Sequence, residues 1–118
     1  MKEKILFVNS CVRGDNESRT LALAKTALSR LDGDIEEIRL ADADLKPLDA
    51  AGLAKRAESA EKNDFSDPVY DCAKQFAACD TVVVAAPFWD YSFPALLKIY
   101  IESLCVGGLT FLYGSAGG

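Results

Sequence analysis

A polar segment near the start of the chain carries side chains suited to binding an anion. It leads from a predicted buried strand into a predicted helix, where unpaired backbone N–H groups and the helix dipole favour negative charge. Hydroxyl and guanidinium donors occur in it at Ser10, Arg13, Ser18, Arg19 and Thr20. Such a donor set fits a phosphate monoester. Ordinary capping of the helix by Ser18, with solvent-exposed arginines beside it, is the alternative interpretation.

This segment is not one of the common nucleotide-binding loops. It contains neither GxxxxGK followed by Ser or Thr nor GxGxxG. Asp15 and Glu17 also lie within it, and their negative charge opposes an anion site. The ligand indicated is therefore a single phosphate group held by hydroxyl, amide and guanidinium donors.

Aromatic residues are concentrated in a second segment, residues 87–94, which holds four of them among eight positions. The segment reads Pro87-Phe88-Trp89-Asp90-Tyr91-Ser92-Phe93-Pro94. Rings grouped in this way supply apolar walls for a flat ligand, and the backbone amides between them can meet its polar edge. The flanking prolines restrict the backbone. The alternative is that the rings cover the core or a subunit interface.

The composition excludes several classes of chemistry. The chain has 118 residues, a net charge of −5 and no histidine, which removes Ser-His-Asp triads, Cys-His dyads and histidine metal sites. We expect no catalytic side chain and no metal site, so a cofactor would have to carry any redox chemistry. An acidic chain without a Lys/Arg cluster is also a poor candidate for binding nucleic acid or an anionic membrane.

The expected location is the cytoplasm. No apolar run approaches the ~20 residues of a membrane span, and the one after Lys4 is too short for a signal peptide. The four cysteines form no CxxC pair, which favours reduced thiols: Cys11, Cys72, Cys79 and Cys105. The length predicts one domain over residues 1–118.

Apolar periodicity predicts the elements that must position the two segments. Continuous apolar runs predict strands at 5–8 and 81–86, and a more polar run at 35–40 predicts a strand near a sheet edge. Helical spacing occurs at 18–31 and at 65–79, and Pro94 begins a helix that ends near Leu104. The composition of residues 49–62, rich in Ala, Lys and Glu, predicts an exposed helix. The predicted inward faces are Leu21, Ala24, Leu28 and Leu31 for the first helix, and Phe65, Val69, Cys72, Phe76 and Cys79 for the third. Gly33 suits the left-handed residue that ends the first helix.

Strands that alternate with helices indicate a doubly wound α/β sheet. Right-handed crossovers place the second and third strands on either side of the first, in the order 2-1-3. Ligands of such sheets bind beyond the carboxyl ends of the strands, where the winding reverses. The polar and the aromatic segments are the two loops at that position.

Together the two segments resemble those of the flavodoxin-like NAD(P)H:quinone reductases and FMN-dependent NADH-azoreductases. The Ser…Arg…Ser-x-Thr phosphate loop of that family is matched by Ser10, Arg13, Ser18 and Thr20. Its flavin-ring signature, with the Leu-Lys-x-Tyr-Ile helix that follows, is matched by residues 87–101. The resemblance extends over nearly the whole chain.

The resemblance implies a flavodoxin-like fold, FMN as cofactor and NAD(P)H as co-substrate, with a quinone or azo compound as the small-molecule electron acceptor. It implies that the phosphate loop, together with Arg19, holds the FMN phosphate. The residues implied to contact the flavin ring are Pro87, Phe88, Trp89, Asp90 and Tyr91. Family members are typically homodimers with flavin sites at the interface.

The sequence departs from this family in two ways. Asp90 replaces the usual Asn, and a carboxylate there would lower the potential of the flavin. Further strands and a third flavin loop of the family have no clear counterpart before Gly118, so we expect an incomplete sheet and a truncated member. The alternative function is a non-catalytic fragment or interaction module whose aromatic loop and last helix pack on a partner.

Apolar residues near the end of the sequence predict a homodimer. The last helix is apolar on more than one face, and the apolar stretch continues over residues 106–113 with no further strand to cover it. A monomer of this size seldom leaves so large an apolar surface in water. We expect a two-fold dimer formed by the aromatic loop, the last helix and the tail.

Overall fold

A computed structural model describes residues 3–11, 19–88 and 93–111. Within these ranges the strands are β1 (Glu3–Asn9), β2 (Gly33–Arg39) and β3 (Thr81–Ala85). The α-helices are α1 (Arg19–Leu28), α2 (Ala50–Lys62), α3 (Asp71–Ala77) and α4 (Ala95–Leu104). Short 3₁₀ turns at Leu40–Asp42 and Pro68–Tyr70 follow β2 and precede α3.

The three strands form one parallel sheet in the order β2-β1-β3. In its register, Asn9 at the end of β1 lies opposite Arg39 of β2 and Ala85 of β3. The α/β class, the parallel sheet and the 2-1-3 order predicted from the sequence are confirmed. β1 is central, and Ile5, Leu6, Phe7 and Val8 are all buried, which explains why its apolar run is continuous rather than alternating.

Helices cover the sheet on both faces. Ile5 and Phe7 point to one face and pack in a cluster with Leu21, Ala24 and Leu28 of α1. Leu6 and Val8 point to the other face and pack with side chains of α4 and, more loosely, α3. Alternate residues of one strand therefore build two separate core layers.

The first helix ends earlier than its apolar spacing predicts. α1 stops at Leu28, and Leu31 lies beyond it with 39% of its surface exposed. Gly33 is not a left-handed helix end, because it is the first residue of β2 and Gly108 is the only described glycine with a positive φ. A Cβ on Gly33 would lie 2.5 Å from the carbonyl oxygen of Glu3. Close approach to β1 explains this glycine.

The helix predicted at 65–79 is shorter than the prediction. Pro68 begins a 3₁₀ turn, and α3 starts only at Asp71. The turn exposes Val69 and buries Tyr70 beside Ala73. The prediction was wrong for Val69, because the 3₁₀ turn places Tyr70 inward instead. The other four predicted residues pack against the core: Phe65, Cys72, Phe76 and Cys79.

The apolar end of the chain is better covered than the sequence suggests. Leu97, Tyr100 and Leu104 are buried against the sheet. Val106 is buried in a third cluster with Tyr70 and Ala73, against which Leu109 also packs. The cover on Val106 is not a strand but Tyr70 of the 3₁₀ turn and Ala73 of α3, whereas Phe111 remains 39% exposed.

Helix α2 lies on the surface with no buried residue, as its composition predicts. The Arg56 guanidinium donates to the carbonyl oxygens of Glu102 at 2.8 Å and Cys105 at 3.1 Å. These carbonyls belong to the last turn of α4 and to the residue after it, where cations are favoured. Arg56 thus ties α2 to the end of α4.

No helix among the described residues is both long enough and apolar enough to cross a membrane. The same ranges contain no group of three or more His, Cys, Asp or Glu side chains able to hold a metal ion.

Candidate functional site

The carboxyl ends of β1 and β3 are joined by one residue, Ser10. Its backbone N–H donates to the carbonyl oxygen of Ala85 at 3.0 Å, and its hydroxyl donates to the same oxygen at 2.6 Å. Ser10 is 1% exposed. The polar and aromatic segments therefore begin side by side, as predicted from the winding of the sheet.

The position of Ser10 bears on its predicted contact with phosphate. A serine hydroxyl has one proton to donate, and here that proton goes to Ala85. To bind phosphate, the hydroxyl would have to leave this carbonyl. The role of Ser10 as a phosphate ligand remains a prediction.

Asn9 connects the end of β1 to β2, on the side opposite β3. Its Oδ1 accepts from the backbone N–H of Cys11 at 3.0 Å, and its Nδ2 donates to Glu37 Oε2 on β2 at 3.0 Å. Asn9 is 1% exposed, so both groups of its amide are satisfied away from water.

The start of α1 is packed against the same edge. Cys11 is buried in one apolar cluster with Leu21, in the first turn of α1, and Ala85, at the end of β3. Burial of this thiol agrees with a packing role for Cys11. The cluster brings the first turn of α1 close to the ends of both strands.

Two predicted phosphate ligands lie in this first turn. Arg19 is exposed and Thr20 is half-buried. The turn contains no acidic residue, so nothing in it opposes the attraction of the helix N-terminus for an anion. These residues fit a phosphate group.

The described residues at the two ends of the aromatic segment show where it begins and ends in the fold. Pro87 is half-buried, whereas Phe88 exposes 74% of its surface and Phe93 exposes 43%. Pro94 is buried and directly precedes α4. The segment thus connects the end of β3 to a helix fixed in the core.

Several predicted site residues lie outside the described ranges. They are Arg13 and Ser18 of the polar segment and Trp89, Asp90 and Tyr91 of the aromatic segment. Their proposed contacts remain predictions.

Sequence reasoning missed three participants in this site: Asn9, Glu37 and the carbonyl of Ala85. Asn9 had a usable signal, since a polar residue at the end of a fully buried strand needs buried partners. Glu37 had no such signal in the sequence, because only strand pairing brings it next to Asn9.

Shifted pKa values among the described residues belong to other parts of the molecule. Hydrogen bonding to Lys55 lowers the pKa of Asp67 and correspondingly raises that of Lys55. Burial raises the pKa of the Cys72 and Cys79 thiols, and it raises that of the Tyr100 phenol far above its ordinary value. The shifts on the two thiols and the phenol keep these groups protonated and unreactive.

Comparison with known proteins decides the family. A family model with the flavodoxin-like fold matches residues 3–118. The chain belongs to this flavodoxin-like family. The match includes both segments at the carboxyl edge of the sheet and so supports the resemblance found in the motifs.

Curated relatives of this flavodoxin-like chain have related names. FMN-dependent NADH:quinone oxidoreductase from Clostridium perfringens is 30% identical over 97% of the chain. The protein of that name from Stenotrophomonas maltophilia is 33% identical over 97% of the chain. The flavodoxin-like chain spans 60% and 58% of the lengths of these two relatives.

Solved structures show the same fold. An azoreductase from Bacillus anthracis is 25% identical, with a TM-score of 0.74 over 98% of this chain and 61% of its own. An FMN-dependent NADH-azoreductase from the same species, solved in complex with FMN, has a TM-score of 0.76 over 98% of this chain and 61% of its own. At 22% identity, the second comparison supports the fold alone.

Proposed function

We propose that this chain binds FMN and, in an oxidoreductase, serves the transfer of a hydride from NAD(P)H through the flavin to a quinone or azo acceptor. The observation that carries the proposal is the double hydrogen bond from Ser10 to Ala85, which places the starts of the polar and aromatic segments side by side. The names of the relatives support the same chemistry. Because the chain spans about 60% of those relatives, activity, acceptor and partners are all proposed for it.

In this proposal the polar segment holds the flavin phosphate. Thr20 supplies a hydroxyl and Arg19 a guanidinium at the N-terminus of α1, and Ser10, Arg13 and Ser18 complete the proposed set. Charge-assisted hydrogen bonds of this kind contribute about 1.5–3 kcal/mol each. The phosphate would therefore account for much of the binding free energy.

The aromatic segment holds the ring in this proposal. The side chains of Trp89 and Tyr91 would flank it, and backbone amides at 88–90 would meet its polar edge, with Pro87 fixing the start of the segment. Hydride transfer and two-electron reduction are the chemistry that FMN supplies when bound. The chain's own residues bind and orient, which is compatible with a protein that contains no histidine.

Two further features belong to the proposal. We place the protein in the cytoplasm, since its four cysteines are unpaired thiols. We also propose a two-fold homodimer. Four exposed apolar side chains support that interface. Phe88 and Phe93 lie at the described ends of the aromatic segment, Ile101 lies on α4, and Phe111 follows α4.

A second candidate function is that of a non-catalytic interaction module. Val84 favours it, because this residue of the edge strand β3 exposes 49% of its surface beside the aromatic segment. Apolar sheet edges of this kind pair readily with other chains.

Flavin retention distinguishes the two candidates. Purified protein is mixed with excess FMN, desalted, and examined by absorbance, and NADH consumption is then followed with a quinone. We expect retained flavin and quinone-dependent NADH consumption. Protein that emerges colourless and retains no FMN would favour the interaction module.

A further inference from the structure

The residues that set the chain path out of β1 form a hydrogen-bonded series across two strands. Glu37 on β2 accepts from the side-chain amide of Asn9, and Asn9 accepts from the N–H of Cys11, each at 3.0 Å. On the opposite side Ser10 is bonded to Ala85 of β3. Residues 9–11 are thus held from both neighbouring strands before the chain enters the polar segment.

Glu37 decides which way the Asn9 amide points. A carboxylate only accepts hydrogen bonds, so the Nδ2 end of the amide must face Glu37. The Oδ1 end then faces the N–H of Cys11. An amide turned the other way would set two donors, Nδ2 and the Cys11 N–H, against each other.

Burial makes this orientation important. Asn9 and Cys11 are 1% and 3% exposed, so water cannot readily replace a lost partner, and an unsatisfied buried group is costly. Glu37 itself is exposed on the edge strand β2.

We infer that Asn9 and Glu37 form a positioning pair, which sets the direction in which the chain leaves β1 toward the proposed phosphate-binding residues. The inference rests on the proposed function for its effect on flavin. The pair contacts neither phosphate nor ring in this assignment, and it acts through the backbone of Cys11.

A charge-swap cycle tests the pair. Asn9→Asp sets two carboxylates against each other, whereas Glu37→Gln retains an acceptor for Asn9. The double variant Asn9→Asp/Glu37→Gln restores a donor facing an acceptor, with an oxygen still facing Cys11. Coupling of this kind predicts an FMN affinity loss of about tenfold or more for Asn9→Asp, and a return to within about threefold in the double variant.

The matched control is Glu36→Gln. Glu36 precedes Glu37 on β2 but contacts Gln75, so the charge change is the same and the partner differs. We expect Glu36→Gln to leave FMN affinity nearly unchanged. Glu37→Gln alone, which no longer forces the Asn9 amide into one orientation, should lower FMN affinity by less than about threefold. Glu37→Ala, at an exposed position, provides a variant that folds readily, with an expected loss of about three- to tenfold.

Two readouts separate positioning from general stability. The ratio of FMN to riboflavin affinity should fall in Asn9→Asp and recover in the double variant, whereas a lower melting temperature with an unchanged ratio would contradict the inference. Hydrogen exchange of the Cys11 amide, followed by NMR without ligand, should accelerate in Asn9→Asp and slow again in the double variant.

The amide measurement also separates this inference from the proposed function. If the wild-type protein binds neither flavin, the proposed function fails, while Cys11 exchange still reports on the pair. Unchanged exchange in Asn9→Asp, or no recovery in the double variant, would overturn the inference whatever the flavin result.

Discussion

The carbonyl oxygen of Ala85 accepts two hydrogen bonds from Ser10, one from its N–H at 3.0 Å and one from its hydroxyl at 2.6 Å. Ladder pairing needs only the first of these. The second is a side-chain contact that fixes the end of β1 against the end of β3. A residue that the sequence motif assigns to phosphate therefore holds together the two strand ends from which the loops start.

Replacing Ser10 by Ala tests which role dominates. Because the hydroxyl proton is engaged with Ala85, we expect Ser10→Ala to weaken FMN and riboflavin by similar factors. The free energy of unfolding should fall by about 1 kcal/mol, as for the loss of one hydrogen bond. Fluorescence titrations and urea denaturation provide the measurements, and a loss confined to FMN would restore the phosphate role.

Replacing Ser18 and Thr20 by Ala should affect FMN affinity and riboflavin affinity differently. These residues are proposed to contact only the phosphate, so FMN affinity should fall by a factor of about 10² or more while riboflavin affinity changes little. Thr26→Ala is the matched control, since its hydroxyl bonds to Ala22 within α1. Equal losses for the two flavins would contradict the phosphate assignment.

Two tyrosines provide a matched pair for stability. The Tyr100 hydroxyl is buried and has no hydrogen-bond partner among the described residues, whereas the Tyr70 hydroxyl donates to Ser59 Oγ at 2.7 Å. Tyr100→Phe should raise the free energy of unfolding by about 1 kcal/mol, and Tyr70→Phe should lower it by a similar amount. Urea denaturation measures both, and stabilisation by Tyr70→Phe would contradict this account.

The ion pair between Lys55 and Asp67 predicts a pH dependence. Its Nζ and Oδ2 are 2.5 Å apart, and the hydrogen bond lowers the pKa of Asp67 from its ordinary value of 3.8. A carboxyl whose pKa is lower in the folded state stabilises the protein at pH values above its unfolded-state pKa. This contribution is lost as the pH falls through its folded-state pKa. Asp67→Asn keeps an acceptor for the Val69 N–H and removes the charge.

We therefore expect Asp67→Asn to lower the urea midpoint at neutral pH. It should match wild type once the pH is below the folded-state pKa of Asp67, where both side chains are uncharged. Asp44→Asn, at another exposed aspartate, controls for the loss of one negative charge. A deficit in Asp67→Asn that persists in acid would show that the ion pair is not its cause.

The proposed dimer predicts a mass of twice 12.7 kDa. Ile101 is 36% exposed on α4, and Ile101→Lys should dissociate the dimer with little effect on folding. Leu23→Lys is the control, because Leu23 is 72% exposed on α1, across the sheet. Light scattering that returns the monomer mass for wild type at micromolar concentration would rule out the dimer.

The sheet was predictable because its signals are local. The apolar runs at 5–8 and 81–86 and the handedness of crossovers fix the order of the strands. Gly33 was misassigned because the closeness of the Glu3 carbonyl is a property of the assembled sheet. Val69 was misassigned because it lies within the 3₁₀ turn that begins at Pro68.

The candidate site likewise combines residues whose place the local sequence predicts with contacts that only the assembled fold creates. The places of Thr20 in the first turn of α1 and of Pro87 just after β3 could be predicted from the segment composition and the positions of strand ends. The contacts of Asn9 with Glu37 and of Ser10 with Ala85 join residues 28 and 75 positions apart, and no sequence pattern encodes such pairs. Ser10 was selected as a hydroxyl, and only the folded chain shows where its proton goes.

Polar contacts hold α2 to the rest of the described structure, and this affects which part of the protein unfolds locally. A helix with no buried side chain contributes little to the cooperative core, so its detachment requires only the loss of Arg56 and a few other polar contacts. We expect residues 50–62 to unfold locally well below the global unfolding free energy. Within the described ranges, this segment is then readily accessible to proteases, and insertions can accumulate there during evolution without disturbing the sheet.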